Sequence, residues 1–294
     1  MITASLVNEL RQKTSVGMME CKKALTETNG DIDAAVIYLR ERGMMKAAAK
    51  ADREATEGII AARLSADGKT GILIEVNCET DFVSRNESYV KFVDRIADTL
   101  AASSAKNLEE ALAEKIEGLA VEDFVKAKTL ELGENIRLRK FERFDLQDGG
   151  SIAQYIHMGG KVGVLLEVGS ASGETAAKEG FRDLVKDITL HIAAAAPKGL
   201  SREDIHADVA AAEREIFRAR LAAEAKPDAK PKPPEMIEKI LDGQISKWFA
   251  ESVLLEQGFV KEPEITIKKL VEQVGKDLND TLVVRRFIRF GLGE

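Results

Sequence analysis

The stretch 68–76 reads GKTGILIEV, and the stretch 160–168 reads GKVGVLLEV. Six of the nine positions are identical, and the three that differ are apolar in the second copy. The same offset of 92 residues (68 to 160) aligns YVKFVDRIADTLAA at 89–102 with FRDLVKDITLHIAA at 181–194, without a gap. It also sets Ile60-Ala61 against Ile152-Ala153. Alternating apolar residues after a glycine turn indicate a strand, and the later apolar spacing indicates a helix. Each copy therefore reads strand, glycine turn, strand, connection, helix. A third strand candidate, Ile136–Phe144, leads into the second copy. The expected fold class is α+β, a duplicated core with antiparallel sheets.

Around this core the chain is helical. Leu6, Val7 and Leu10 share one face, Lys13 to Gly17 breaks that helix, and Met18, Cys21, Ala24 and Leu25 form a second stripe. Asn29-Gly30 closes the second helix, and Asp31 opens a third with Ile32, Ala35, Val36 and Leu39 inward and Gly43 at its end. Residues 1–44 are thus a three-helix docking module and 45–57 a helical or flexible linker. The core copies occupy 58–145 and 146–200, the second completed by 259–294. The latter holds an amphipathic helix at Ile267–Val274 and a closing strand at Leu282–Phe290. Between them, 201–258 is an inserted helical hairpin. Ile205, Val209, Ala212, Ile216 and Ala219 recur at the spacing of a coiled-coil seam, and Ile237, Leu241, Ile245 and Trp248 form the return stripe. The proline- and lysine-rich tip, Ala225–Pro234, cannot be helical and reads as a solvated turn rather than a nucleic-acid patch.

Composition narrows the function classes. The 294 residues carry a net charge of −7 and only 5% aromatics. Neither a broad phosphate-neutralising surface nor a set of stacking platforms for bases is expected from that balance, so no direct nucleic-acid partner is expected. Cys21 and Cys78 are far apart with no CxxC, which suits a reducing cytosol and argues against a disulfide scaffold or zinc site. The start, MITASLVNELRQK, is not patterned as a signal peptide, and no apolar stretch reaches the ~18 residues of a membrane span.

Catalytic constellations are weak. Gly68-Lys69-Thr70 ends like a phosphate-binding loop, but that motif requires glycine where Arg63 stands, and a strand follows instead of a helix. His157, His191 and His206 lack metal-ligand spacing, and His191, among alanines, belongs to core or rim. Cys78 beside Glu79 and Asp81 has the wrong electrostatics for a nucleophile. An enzyme, a cofactor and a metal are not expected. What stands out is the connection NCETDFVSRN at 77–86, where Phe82-Val83 interrupts a polar segment. Opposite Thr80-Asp81-Phe82-Val83 the second copy has Ser172-Gly173-Glu174-Thr175. A local plug should have an apolar counterpart, and Phe82 faces Glu174. Either the two copies diverged in packing, or Phe82 is offered to another molecule.

Several ordered motifs carry a resemblance over nearly the whole chain. The run Thr14-Ser15-Val16-Gly17-Met18-Met19-Glu20-Cys21-Lys22-Lys23-Ala24-Leu25 with Asn29-Gly30-Asp31 resembles the amino-terminal signature of the bacterial translation elongation factor Ts family. Asn77-Cys78-Glu79-Thr80-Asp81-Phe82-Val83 resembles its second signature, and Gly133-Glu134-Asn135-Ile136 and Phe287-Ile288-Arg289-Phe290 also correspond. Some members carry a further carboxy-terminal helix that touches the partner; here the residues stop at Gly291-Leu292-Gly293-Glu294, which leaves that contact open.

The resemblance implies a cytoplasmic guanine-nucleotide exchange factor for the GTPase elongation factor Tu, with no membrane involved. It implies that the amino-terminal module, similar to ubiquitin-associated domains, docks on the GTPase through Met18, Met19 and Lys22. It implies that the loop Thr80, Asp81, Phe82 and Val83 reaches the Mg²⁺ and nucleotide region, Asp81 and Phe82 intruding. Leu132, Gly133 and His157 match further positions that meet the partner. The alternative is a passive scaffold or holdase that grips the GTPase without altering nucleotide affinity. Self-association through the hairpin is open in either case.

Overall fold

The computed structural model describes every residue except 1, 15, 49, 51 and 225–232, and only the backbone of 43–48. The hairpin tip from Ala225 onward, and parts of the 45–57 linker, therefore lie outside the described residues. The architecture is α+β, as the periodicities indicate.

The first core copy contains β1 (Glu57–Leu64), β2 (Thr70–Cys78), the single-turn helix α4 (Asp81–Ser84) and the long helix α5 (Glu87–Ala102). It continues through α6 (Leu108–Ala113), a small β3–β4 hairpin (Lys115–Ile116, Leu119–Ala120), α7 (Val121–Leu132) and β5 (Arg137–Asp145). β2 is central, antiparallel to β1 and to β5, with a bulge between Glu75 and Val76. The second copy has β6 (Ser151–His157), β7 (Val162–Ser170) and α8 (Glu179–Ala195). After the insertion come a β8–β9 hairpin (Gly258–Phe259, Glu262–Thr266), α11 (Ile267–Leu278) and β10 (Leu282–Gly291). Its sheet order, β10-β7-β6, reproduces β5-β2-β1.

The cores correspond side chain by side chain. Ile72, Ile74, Val76, Tyr89, Phe92, Val93, Ile96 and Leu100 fill the first. Val164, Leu166, Val168, Phe181, Leu184, Val185, Ile188 and Ile192, each 92 positions on, fill the second. Burying such a side chain is worth about 1.5–3 kcal/mol, so each strand–helix pair has ample reason to form. Even a backbone constraint is repeated. Gly58 (φ +140) and Gly150 (φ +120) lie so close to the central strand that a Cβ would sit 2.1 Å from the carbonyl oxygen of Val76 or Val168. His191 is buried in the second core, its Nε2 3.0 Å from Gln257 Oε1 and its Nδ1 accepting from Val260 N–H at 3.3 Å. Burial holds its pKa below the ordinary imidazole value.

The duplication extends beyond the 92-residue register. Helix α7 and helix α11 have equal bounds at an offset of 146 residues (121 to 267, 132 to 278). At that offset Arg139-Lys140-Phe141-Glu142-Arg143-Phe144 meets Arg285-Arg286-Phe287-Ile288-Arg289-Phe290. The change of offset measures the insertion, so the third strand and its preceding helix belong to the repeat as much as the hairpins do. A buried carboxylate joins each central strand to this third strand. Glu75 is paired with Arg139 (3.4 Å) and Lys140 (2.9 Å). Glu167 is paired with Arg285 (3.0 Å) and Arg286 (2.7 Å) and accepts from the Gln147 N–H.

Three readings of the helices require correction. The third helix does not stop at Gly43: α3 spans Ile32–Ala48, following α1 (Ala4–Thr14) and α2 (Met18–Glu27). One glycine costs a helix only about 1 kcal/mol relative to alanine, and the residues after it are good helix formers. Met18 does not join the buried stripe of Cys21, Ala24 and Leu25 but is half-exposed. In the hairpin, Ala210, Phe217 and Leu221 of α9 (Ala207–Ala223) are half-buried, and Arg214–Glu238, Arg214–Asp242 and Arg218–Glu238 ion pairs join it to α10 (Pro234–Ser252). The expected seam positions Val209 and Ile216 face outward, one position away from the contact face. Leu241 on the return helix is buried as its spacing indicates, and Pro234 is the first residue of α10, where proline is tolerated.

By contact density the chain divides into two compact units: Met1–Asp145 with Ile156–Gly163 and Phe290–Glu294, and Leu146–Tyr155 with Val164–Arg289. The three-helix module has its own core of Val7, Leu10, Val16, Cys21, Ala24, Leu25, Ala35 and Leu39. Within the first unit it meets α7 through an Arg40–Asp123 ion pair at 2.9 Å, and Leu130 packs against its core.

Burial raises the carboxyl pKa of Glu167, but the Gln147 N–H and both arginines outweigh it and hold the group below its ordinary value. The stabilisation is therefore present at neutral pH and is lost as pH falls through that depressed value. Glu167→Gln leaves two guanidinium groups without their anion and should lower stability by about 3 kcal/mol at pH 7 in urea denaturation. An unchanged midpoint and slope would show that the pair contributes nothing.

Candidate functional site

The connection after β2 owes its shape to hydrogen bonds at both ends. Thr80, extended at φ −126, is the N-cap of α4, its hydroxyl oxygen accepting from the Val83 N–H at 3.4 Å. Ser84 Oγ donates to the Asp81 carbonyl at 3.0 Å, and the Asp81 carboxylate pairs with Arg85 at 3.0 Å. Asn86 then caps α5 by accepting from Ser88 N–H at 2.8 Å. A single helical turn is marginal alone; here both its ends are fixed.

With Ser84 buried and Val83 packed on the first core, the intervening helical rotation turns Phe82 outward. It is 84% exposed, the most exposed of the large apolar side chains in the described residues. A packing role within the chain is excluded by that number. Its counterpart in the duplicate, Glu174, is also exposed, just before a short 3₁₀ turn at Thr175–Ala177. Both copies thus present this position to solvent, and only the first places an aromatic ring there.

The anchor of the turn is Glu134. Its Oε2 accepts from the Glu79 N–H (3.0 Å) and the Thr80 N–H (3.1 Å), and its Oε1 accepts from the Thr80 hydroxyl (2.6 Å). In return Glu79 Oε1 accepts from the Asn135 N–H at 2.6 Å, and Asn135 Nδ2 donates to the Arg53 carbonyl at 2.8 Å. Gly133, left-handed at φ 77, ends α7 and turns the chain so that Glu134 faces the loop. Lys50 Nζ donates to the Gly133 carbonyl. The bonds join two stretches already quoted as motifs, Asn77–Val83 and Gly133–Ile136, but spacing does not show that they meet. The only trace in the sequence is an acidic residue directly after the residue that closes a helix.

Beneath the turn lies Cys78, fully buried, its thiol donating to the Thr80 carbonyl at 3.2 Å. Burial pushes the thiol up to about 11; the charges of Glu134 and Glu57 add to this, and the neighbouring Tyr89 hydroxyl offsets part of it. The expected direction holds, but Glu79 and Asp81 are not its source. The Tyr89 hydroxyl itself donates to the Val76 carbonyl at 2.9 Å.

The sequence-derived positions fall on three structural elements of the first unit. Thr80, Asp81, Phe82 and Val83 are joined to Leu132-Gly133 through Glu134, and Leu132 packs partly into the first core. Met18, Met19 and Lys22 stand on α2, with Met19 78% exposed and Lys22 exposed beside it. His157 is exposed at the β6–β7 turn, followed by exposed Met158 with φ 49. Among the described residues no cluster of three or more His, Cys, Asp or Glu could hold a metal, and no helix is long and apolar enough to cross a membrane.

The duplicated α+β core thus carries, in its first copy, a capped turn that holds one aromatic ring in solvent. The profile of the family described as Elongation factor TS matches residues 79–294. Along its full length the chain is 41% identical to Elongation factor Ts of Trichlorobacter lovleyi, covering 93% of that protein. It is 44% identical to Elongation factor Ts of Methylococcus capsulatus (92% covered) and 41% identical to that of Clostridium novyi (94% covered). The chain belongs to the elongation factor Ts family, as the ordered motifs indicate.

A thiol so buried and so weakly acidic should resist modification. In a Cys21→Ser background at pH 8, a thiol reagent should label Cys78 at least about a hundredfold more slowly than a free cysteine peptide. Labelling at the peptide rate would place Cys78 outside the core.

Proposed function

We propose that this protein is a cytoplasmic guanine-nucleotide exchange factor for elongation factor Tu, acting through the turn Thr80–Val83. The observation that carries this reading is the solvent-held Phe82 ring on a hydrogen-bonded turn in a member of this family. Nucleotide release is accelerated only by a factor that binds the nucleotide-free or distorted GTPase better than the loaded one. Phe82 meets that requirement as a wedge. Burying its ring is worth about 2–3 kcal/mol, and this is gained only where a slot between partner elements has opened. Asp81 brings an anion toward a metal–phosphate cluster, where it would disturb the charge balance around the partner's Mg²⁺. The Arg85 pair holds that carboxylate in place. By linkage, nucleotide must in turn expel the factor. No bond is made or broken.

Met18, Met19 and Lys22 supply a separate docking contact on the amino-terminal module. An exposed methionine pair offers an adaptable apolar surface to a partner. Leu132, Gly133 and His157 complete the surface in this reading. The outward Val209 and Ile216 of α9, at seam spacing, leave a face for a second copy of the chain.

Phe82→Ala should leave the melting temperature unchanged and lower the maximal acceleration of GDP release about 30- to 160-fold, the rate equivalent of the lost burial. Stopped-flow release of fluorescent GDP reads this directly, and normal acceleration by the variant would refute the wedge. Met18→Ala with Met19→Ala should instead raise the dissociation constant for the partner about tenfold while sparing the maximal rate. A passive scaffold would hold its complex in excess GDP, whereas an exchange factor must release it. Val209→Glu with Ile216→Glu should abolish any self-association seen by sedimentation; an unaltered oligomeric state in a self-associating protein would remove the hairpin from that role.

A further inference from the structure

The second core copy contains the same anchor as the first, and this identifies what has been added to the first. Asp280 lies 146 positions after Glu134, directly after the left-handed Asn279 that closes α11, as Glu134 follows left-handed Gly133. Its carboxylate accepts from the N–H groups of Ala171 (3.2 Å) and Ser172 (3.1 Å). These are the residues 92 positions after Glu79 and Thr80, the two donors to Glu134. A carboxylate that satisfies the two N–H groups leaving the central strand is thus a device of the fold itself.

Asp280 also takes a hydrogen bond from the Thr175 side chain, so a hydroxyl contact is common to both anchors; in the first copy that hydroxyl belongs to the N-cap residue itself, which makes it a relay. The Thr80 hydroxyl donates a hydrogen bond to Glu134 Oε1 at 2.6 Å, which fixes its rotation and turns an oxygen lone pair toward the Val83 N–H. The carboxylate thereby sets the hydroxyl orientation that caps α4, the turn that carries Phe82. An N-cap threonine without its proton acceptor is free to rotate, and loss of a cap costs a helix about 1 kcal/mol. That is a large fraction of the stability of one turn. We infer that Glu134 is the positioning residue for nucleotide exchange: through Thr80 it holds the Phe82 ring in its outward, insertion-ready orientation before any partner arrives. This rests on the exchange reading above. Glu134 itself touches no nucleotide, and its effect on release passes entirely through the ring.

The test uses the full-length chain with Glu134→Ala, Glu134→Gln, Asp280→Ala and Phe82→Ala. Maximal GDP-release acceleration should fall about tenfold in Glu134→Ala. It should stay nearly as low in Glu134→Gln, whose amide oxygen still accepts from the two N–H groups but whose NH2 stands where the Thr80 hydroxyl needs an acceptor. In the Phe82→Ala background, Glu134→Ala should cost less than about twofold more, since the ring it positions is gone. Asp280→Ala removes the corresponding N–H bonds and the Thr175 contact from the other copy, where the Ala171 N–H keeps the Thr281 carbonyl, and should leave acceleration within about twofold of the parent protein. Equal losses in Asp280→Ala and Glu134→Ala, or a full additional loss in the Phe82→Ala background, would overturn the assignment and leave Glu134 a stabilising residue only.

Amide hydrogen exchange separates this claim from the functional reading. In the free protein, Glu134→Ala should speed exchange at Thr80 and Val83 about tenfold or more while Ile72–Val76 stay protected. Unchanged protection at Thr80 and Val83 sinks the positioning role whatever the release data show. A normal rate with Phe82→Ala sinks the wedge while this measurement still reports on the clamp.

Discussion

Where each central strand ends, two backbone N–H groups pass beyond the sheet, and in each half of the core one carboxylate accepts both. Backbone donors near an interior require partners, and a carboxylate is the acceptor that can serve two at once. Glu134 does this for Glu79 and Thr80, Asp280 for Ala171 and Ser172. The strand, the connection, the closing helix and the final strand are brought together at this point in each copy. Two further buried anions, Glu75 and Glu167, join each central strand to its outer strand.

The duplication makes a controlled comparison possible inside one chain. Interior positions track one another closely: Tyr89 with Phe181, Ile96 with Ile188, Gly58 with Gly150. The connections differ in what they carry. One holds a capped turn with a ring in solvent, the other a short 3₁₀ turn with Glu174. The scaffold supplies a fixed departure point, and the proposed exchange function is assigned to the residues hung from it. An exposed Phe costs folding little when its neighbours Val83 and Ser84 are secured, so such a ring can be retained for an external partner.

Much of this was legible from residues alone. Strand alternation and helix spacing in 68–102 and 160–194 revealed the repeat because interior packing preserves apolar character. The correspondence of α7 with α11 and of β5 with β10 went unread because the hairpin changes the offset from 92 to 146, and surface positions of the helices diverged. The trace was present in the Arg-Lys/Arg-Phe-x-Arg-Phe strands. In α9 small and aliphatic residues populate two adjacent faces, so spacing alone chose Val209 and Ile216 where Phe217 and Leu221 are the half-buried pair. The Glu134 clamp could not be inferred, since a side chain bonding to backbone N–H groups leaves no periodicity. Setting Phe82 against Glu174 left a packing reading and an outward reading open, and the ring's 84% exposure decides between them.

The central claim is that the ring waits in solvent and is buried only in a partner that has lost its nucleotide. With 4-fluorophenylalanine in place of Phe82, fluorine NMR follows that ring alone. The account predicts a single narrow, solvent-shifted signal in the free protein, a displaced and broadened signal in the complex with nucleotide-free elongation factor Tu, and return of the first signal when excess GDP is added. A signal that stays at its free position throughout complex formation would contradict it.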